Sequence, residues 1–177
     1  MTRAGAAVAL AIACAARAGP PPEAPVELTR AAWRGDTALV ARLLDAGAPA
    51  SARTAGGSTL LGVAAQAGQV EVVALLLDRG APPDARGIDA WTPLMQAAAA
   101  GQLEVVRLLL ARGARPNLRT PDGYSALDAA RAAGRAAVVA ALVKAGARDS
   151  DRPGRAPVGA PGADLGAPVR PGGGSGR

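Results

Sequence analysis

Few side chains in this chain of 177 residues can do chemistry. There is no histidine, and Cys14 is the one cysteine. Nucleophile–base pairs of the Ser–His or Cys–His kind and His/Cys metal sites are thereby excluded. Asp36, Asp45, Glu71, Asp78 and Glu104 remain as carboxylates. Each falls on a helix surface close to a turn, where solvation and compensation of the helix dipole account for it. Gly172-Gly173-Gly174-Ser175-Gly176 is glycine-rich, but no strand or helix follows, so it is not a phosphate-binding loop. We expect no catalytic residue, metal, cofactor or small-molecule substrate. Binding potential is concentrated in the three aromatic residues, Trp33, Trp91 and Tyr124, and in the evenly spaced Arg53, Arg86 and Arg119. Trp, Tyr and Arg are the residue types that most often dominate interface energetics.

A repeat positions these residues. Leu43-Leu44-Asp45-Ala46-Gly47-Ala48 returns as Leu76-Leu77-Asp78-Arg79-Gly80-Ala81, Leu109-Leu110-Ala111-Arg112-Gly113-Ala114 and Leu142-Val143-Lys144-Ala145-Gly146-Ala147, each step being 33 residues. Gly35, Gly68, Gly101 and Gly134 keep the same step. A period in this range with two internal landmarks denotes a stacked-repeat array. Within a unit, Val70, Val73, Leu76 and Leu77 have helical spacing, and Gly80 suits a left-handed C-terminal cap. Thr92-Pro93-Leu94 opens another helix, with Thr92 as its cap and Pro93 in its first turn. Each unit is therefore two antiparallel helices and an extended turn. The composition agrees, since 50% of the chain is apolar but only 2% is aromatic and Phe is absent. Such a core must be thin layers of Ala, Val and Leu.

The formal charge of +6 invites a nucleic-acid reading. Yet removing the seven arginines and three aspartates of the flanks leaves the repeat region at only +2. Nucleic-acid binding is not expected. At the N-terminus, Met1-Thr2-Arg3 precedes an apolar run too short to span a bilayer, the layout of an export signal over residues 1–18. Leu10-Ala11-Ile12-Ala13 before Cys14 resembles a bacterial lipobox, which would make Cys14 a lipidation site. Alternatively, Ala16-Arg17-Ala18 offers a signal-peptidase site that releases a soluble protein, or the N-terminus stays uncleaved in the cytosol. A Pro-rich spacer follows over residues 19–25, and the Pro/Gly/Arg tail 150–177 should be disordered because it holds too little apolar surface to offset its ordering entropy.

Thr92-Pro93-Leu94 through Gly101, Val105-Val106, Leu109-Leu110 and Gly113-Ala114 to Asn117 resembles the ankyrin repeat. Four units are expected, at about 26–56, 57–89, 90–122 and 123–149, the first lacking its turn and the last resembling a terminal cap. The resemblance implies an all-α ankyrin-repeat solenoid of stacked antiparallel helix pairs joined by extended turns. It also implies that the family's buried histidine is replaced by Gly62, Met95 and Asp128, at a cost in stability. The family's variable positions, on the turn tips and the exposed face of the first helices, fall here on Trp33, Arg53, Ser58, Gln66, Arg86, Ile88, Asp89, Trp91, Arg119, Asp122 and Tyr124. The expected function is binding of a partner protein by a monomer, exported to the periplasm or anchored in the envelope. A cytosolic adaptor or inhibitor is the alternative.

Overall fold

The computed structural model describes residues 24–148. The export signal 1–18 with Cys14, most of the segment 19–25 and the tail 150–177 lie outside the described residues.

Eight α-helices follow one another in pairs: α1 (Val26–Arg34) and α2 (Thr37–Asp45), α3 (Leu60–Ala67) and α4 (Val70–Asp78), α5 (Pro93–Ala100) and α6 (Leu103–Ala111), α7 (Ala126–Ala132) and α8 (Ala136–Lys144). The first helices stack in the order α1, α3, α5, α7, and the second helices form a parallel layer α2, α4, α6, α8. Sequence explains the difference between the layers. The first helices bury Ala31, Ala32, Ala64, Ala65, Ala97 and Ala98, side chains small enough for backbones to approach closely. The second helices bury Val and Leu, such as Val72, Val73, Leu76, Val106 and Leu109. Contact is accordingly more extensive within the first layer than within the second.

Local signals act as the sequence implies. Thr59, Thr92 and Ser125 each cap a first helix, their hydroxyls accepting from the backbone N–H of Gly62, Met95 and Asp128. Substituting such a cap by Ala costs about 1 kcal/mol. Gly35, Gly68 and Gly101 end the first helices in the left-handed region. These glycines answer a second demand as well. The amide of Gln69 lies over Gly35 and that of Gln102 over Gly68, where a Cβ would stand 2.6 Å from Gln102 Oε1. From there Gln69 Nε2 donates to the Trp33 carbonyl at 3.0 Å and Gln102 Nε2 to that of Gln66 at 3.3 Å. The second and third units thereby each satisfy a carbonyl at the open C-terminal end of the previous unit's first helix.

On the second-helix side, Arg79 pairs with Asp45 at 2.7 Å and Arg112 with Asp78 at 2.6 Å. The expectation that these two aspartates serve helix N-terminal dipoles is therefore corrected. Both close the C-terminal end of their helix, where the dipole disfavours a carboxylate, and an arginine of the next unit offsets them. As exposed pairs they contribute at most about 1 kcal/mol each. Asp36 does meet the expectation, accepting from Leu39 N at the start of α2. Ala24 is buried and its N–H donates to the Arg53 carbonyl at 2.6 Å, so the chain joins the stack before α1 begins.

Candidate partner-binding face

Three turns carry most of the candidate residues. In the turn before α3, Thr54 N donates to Ser58 O and Gly57 N to Thr54 O; before α7, Thr120 N donates to Tyr124 O and Gly123 N to Thr120 O. Gly57 and Gly123 supply φ of 82° and 81°. Arg53 and Arg119 brace these turns, each Nη1 donating at 3.0 Å to the glycine carbonyl within its own turn. Arg119 Nη1 also lies 3.9 Å from Asp128 Oδ2. Two of the three evenly spaced arginines thus shape the surface from below.

The middle turn is built differently. Here Gly87 N donates to Trp91 O and Ala90 N to Gly87 O, so glycine sits at the start and Ala90 takes the place of Gly57 and Gly123. Asp89 and Ala90 are consequently held at φ of 52° and 60°. Left-handed backbone costs a residue with a Cβ about 1–2 kcal/mol. Ala90→Gly relieves that strain but adds freedom to the unfolded chain worth about 0.4–1 kcal/mol. We expect a net stabilisation of up to about 1 kcal/mol, read as a raised urea midpoint at constant slope; no change would mean that the turn relaxes at no cost. Arg86 reaches out of this turn, its Nη1 donating to the Arg119 carbonyl at 3.1 Å and tying the middle turn to the last.

The aromatic residues are brought together in part. Trp91 and Tyr124 are half-buried and in contact, ring centroids 5.7 Å apart with planes tilted by 37°. Ile88, in the same turn as Trp91, is 46% exposed and leans over Gly57 of the preceding turn. Trp33 stands apart near the end of α1, 50% exposed. Gln66, Asp89 and Asp122 are exposed, whereas Ser58 is half-buried with its carbonyl in the turn hydrogen bond.

Tyr124 is held from two sides. Its N–H donates to Thr120 Oγ1 at 3.0 Å, and its hydroxyl donates to the Asp128 carbonyl at 3.3 Å. Burial, and then the Asp128 carboxylate, raise its phenol above the usual 10.0. The folded chain therefore holds this proton more tightly than the unfolded chain. Tyr124 stabilises the fold fully below pH 10 and loses that contribution as pH rises through the folded value. Absorbance at alkaline pH should show the folded phenol titrating above the urea-unfolded one, and coincident curves would refute this. Asp128, at the position of the family histidine, accepts from Ser125 N at 2.9 Å and from Ser125 Oγ at 2.6 Å, closing a capping box with Asp128 N donating back to Ser125 Oγ. At Gly62, another such position, the Gln96 side chain fills the space and leaves Gln96 Oε1 buried without a partner.

Among the described residues no group of carboxylates, histidines or cysteines is arranged to hold a metal ion, and no helix is long and apolar enough to cross a membrane. What the geometry offers is a firm, mixed apolar and charged face on a two-layer helical repeat scaffold, which defines a protein-binding repeat module. A family model for ankyrin repeats (three copies) matches residues 28–120 and 84–153. The chain belongs to the ankyrin-repeat family, and its architecture is that of a protein–protein interaction module. No curated protein matches the chain.

Proposed function

We propose that this chain binds a partner protein through its turn tips and the exposed face of its first helices, in the bacterial cell envelope. The observation that carries the binding face is the Trp91–Tyr124 pair: two amphipathic rings already in contact on a turn face that also exposes Ile88. Rings fixed before binding lose little freedom on contact, which favours affinity. Trp33, Gln66, Arg86, Asp89 and Asp122 extend the same face, and Arg53, Arg119 and Ser58 act through the turns they hold. The envelope location is supported by the apolar N-terminal run that ends at Cys14.

A photo-crosslinking residue in place of Ile88, in cells of a Gram-negative host, should capture a discrete partner. Trp91→Ala should then weaken that complex by about 2 kcal/mol or more, the loss typical of an interface hot spot. An unchanged affinity in Trp91→Ala and Tyr124→Ala would refute the face. The location is tested by the intact mass of the mature protein. An acyl adduct on Cys14 or a chain beginning at Gly19 supports export, and retention of Met1 overturns it.

A further inference from the structure

The two ends of the stack are treated unequally. At the N-terminal end, exposed Glu27, Arg30 and Arg42 occupy the places that Leu60, Val63 and Leu75 hold one unit later, so that end is largely polar, although Val26 at the start of α1 is exposed. At the C-terminal end α7 follows suit, with exposed Arg131 in the place of buried Ala98. Helix α8 does not. Its Val139 and Val143 stand where the preceding unit has buried Val106 and half-buried Leu110, and Val143 is 51% exposed. Gly35, Gly68 and Gly101 are each covered by a side chain of the next unit, while nothing lies within 4 Å of a Cβ built on Gly134. Two open depressions of about 360 and 500 Å³ adjoin α8, one bordered by Gly134, Arg135 and Val139, the other lying between α6 and α8 and bordered by Arg107, Leu110, Ala141 and Lys144, with Ala140 on both. Among the described residues, a face that the chain's own packing rule would cover is thus left open, although terminal units of such arrays normally present a polar exterior.

Charge selects the occupant. Helix α8 contains no carboxylate, begins after Arg135 and ends at Lys144. Lys144 stands in the series of Asp45, Asp78 and Ala111, of which the two carboxylates engage Arg79 and Arg112 of the following unit. The last position is basic where Asp45 and Asp78 are acidic, so a helix that brings a carboxylate beside Lys144 would restore with reversed sign the pairing made at the first two junctions. A second copy stacked head to tail would lay Glu27, Arg30 and Arg42 against this apolar face. A second copy placed face to face would oppose Arg135 and Lys144 with themselves.

We propose that the open face of α8 is a second docking surface, separate from the turn face, that takes an acidic amphipathic helix of a partner protein. The helix lies along Val139, Ala140 and Val143 with an apolar stripe, as the second helix of a further unit would. Its flanking carboxylates meet Arg135 and Lys144.

The test uses the full chain and two helix-forming peptides with the same Ala/Leu stripe, one flanked by Glu and one by Lys, followed by fluorescence anisotropy. The Glu peptide should bind about tenfold or more tightly at low salt, with the difference shrinking as salt screens it. Ala140→Glu should abolish its binding, and Arg135→Glu with Lys144→Glu should reverse the preference. Trp91→Ala should change nothing, which separates this surface from the turn face. All three positions replaced for this face are exposed, and helical circular dichroism checks that each variant folds. Binding of neither peptide, equal binding of both, or indifference to Ala140→Glu would overturn the proposal. So would self-association of the chain that Ala140→Glu removes, since the face would then belong to a second copy.

Discussion

Gly68→Ala should lower the stability of the stack by about 2–3 kcal/mol, whereas Gly80→Ala, at a glycine of nearly the same φ, should cost only about 1 kcal/mol. The two positions have φ of 79° and 85°, so the backbone cost of adding a Cβ is alike. Their surroundings differ. Nothing lies within 4 Å of a Cβ at Gly80, but at Gly68 it would stand 2.6 Å from Gln102 Oε1. The glutamine must withdraw, and its bond to the Gln66 carbonyl at 3.3 Å is lost with it. Urea denaturation of the two variants reads the difference directly, with the slope expected to stay constant. Adding Gln102→Ala to Gly68→Ala should recover the part due to the clash. Equal losses in the two glycine variants would mean that the glutamine moves aside freely and that the junction is not held in the way described.

The same glycines mark where sequence reasoning reached its limit. Their 33-residue spacing implied the left-handed caps, because conformation at a helix end depends on neighbours within one turn. It could not imply that Gln69 and Gln102 fold back over Gly35 and Gly68, since that contact joins residues a full unit apart. The arginines show the same division. Equal spacing put Arg53, Arg86 and Arg119 on the turns, but whether a guanidinium faces solvent or braces a carbonyl depends on the turn's hydrogen-bond pattern. That pattern changes when glycine moves from position 57 or 123 to position 87. One signal was legible and passed over: Asp45 and Asp78 precede Arg79 and Arg112 by 34 residues each, the offset of adjacent units plus one. The aromatic positions were placed by the family pattern, whereas the stacking of Trp91 on Tyr124 required the turns in three dimensions. The open face of α8 was the least legible of all. Alanine and valine at helical spacing look the same in sequence whether or not another unit follows.

Leu109→Ala should be a severely damaging truncation, costing about 3–4 kcal/mol. Leu109 is fully buried in α6, between the pairs that precede and follow it. A Leu→Ala change at such a site loses about 2–5 kcal/mol, the amount depending on how far the surroundings collapse into the cavity. Collapse is restricted in this core. Its fully buried part contains no large ring, Ala97 and Ala98 have no rotamer to change, and Val105 and Val106 are stiff at χ1. The contrasting change Val143→Ala, at a residue 51% exposed, should stay within about 0.5 kcal/mol. Because each unit contacts only its neighbours, the loss at Leu109 falls on the link between the two halves of the array. The urea transition should therefore broaden as well as shift, with amide protection in α7 and α8 lost before that in α3 and α4. A loss below about 1.5 kcal/mol with a single sharp transition would show that the Ala/Val/Leu layers repack readily. Trp91 and Tyr124 would then not be held rigid for a partner, because rings standing on a yielding core are not fixed before binding.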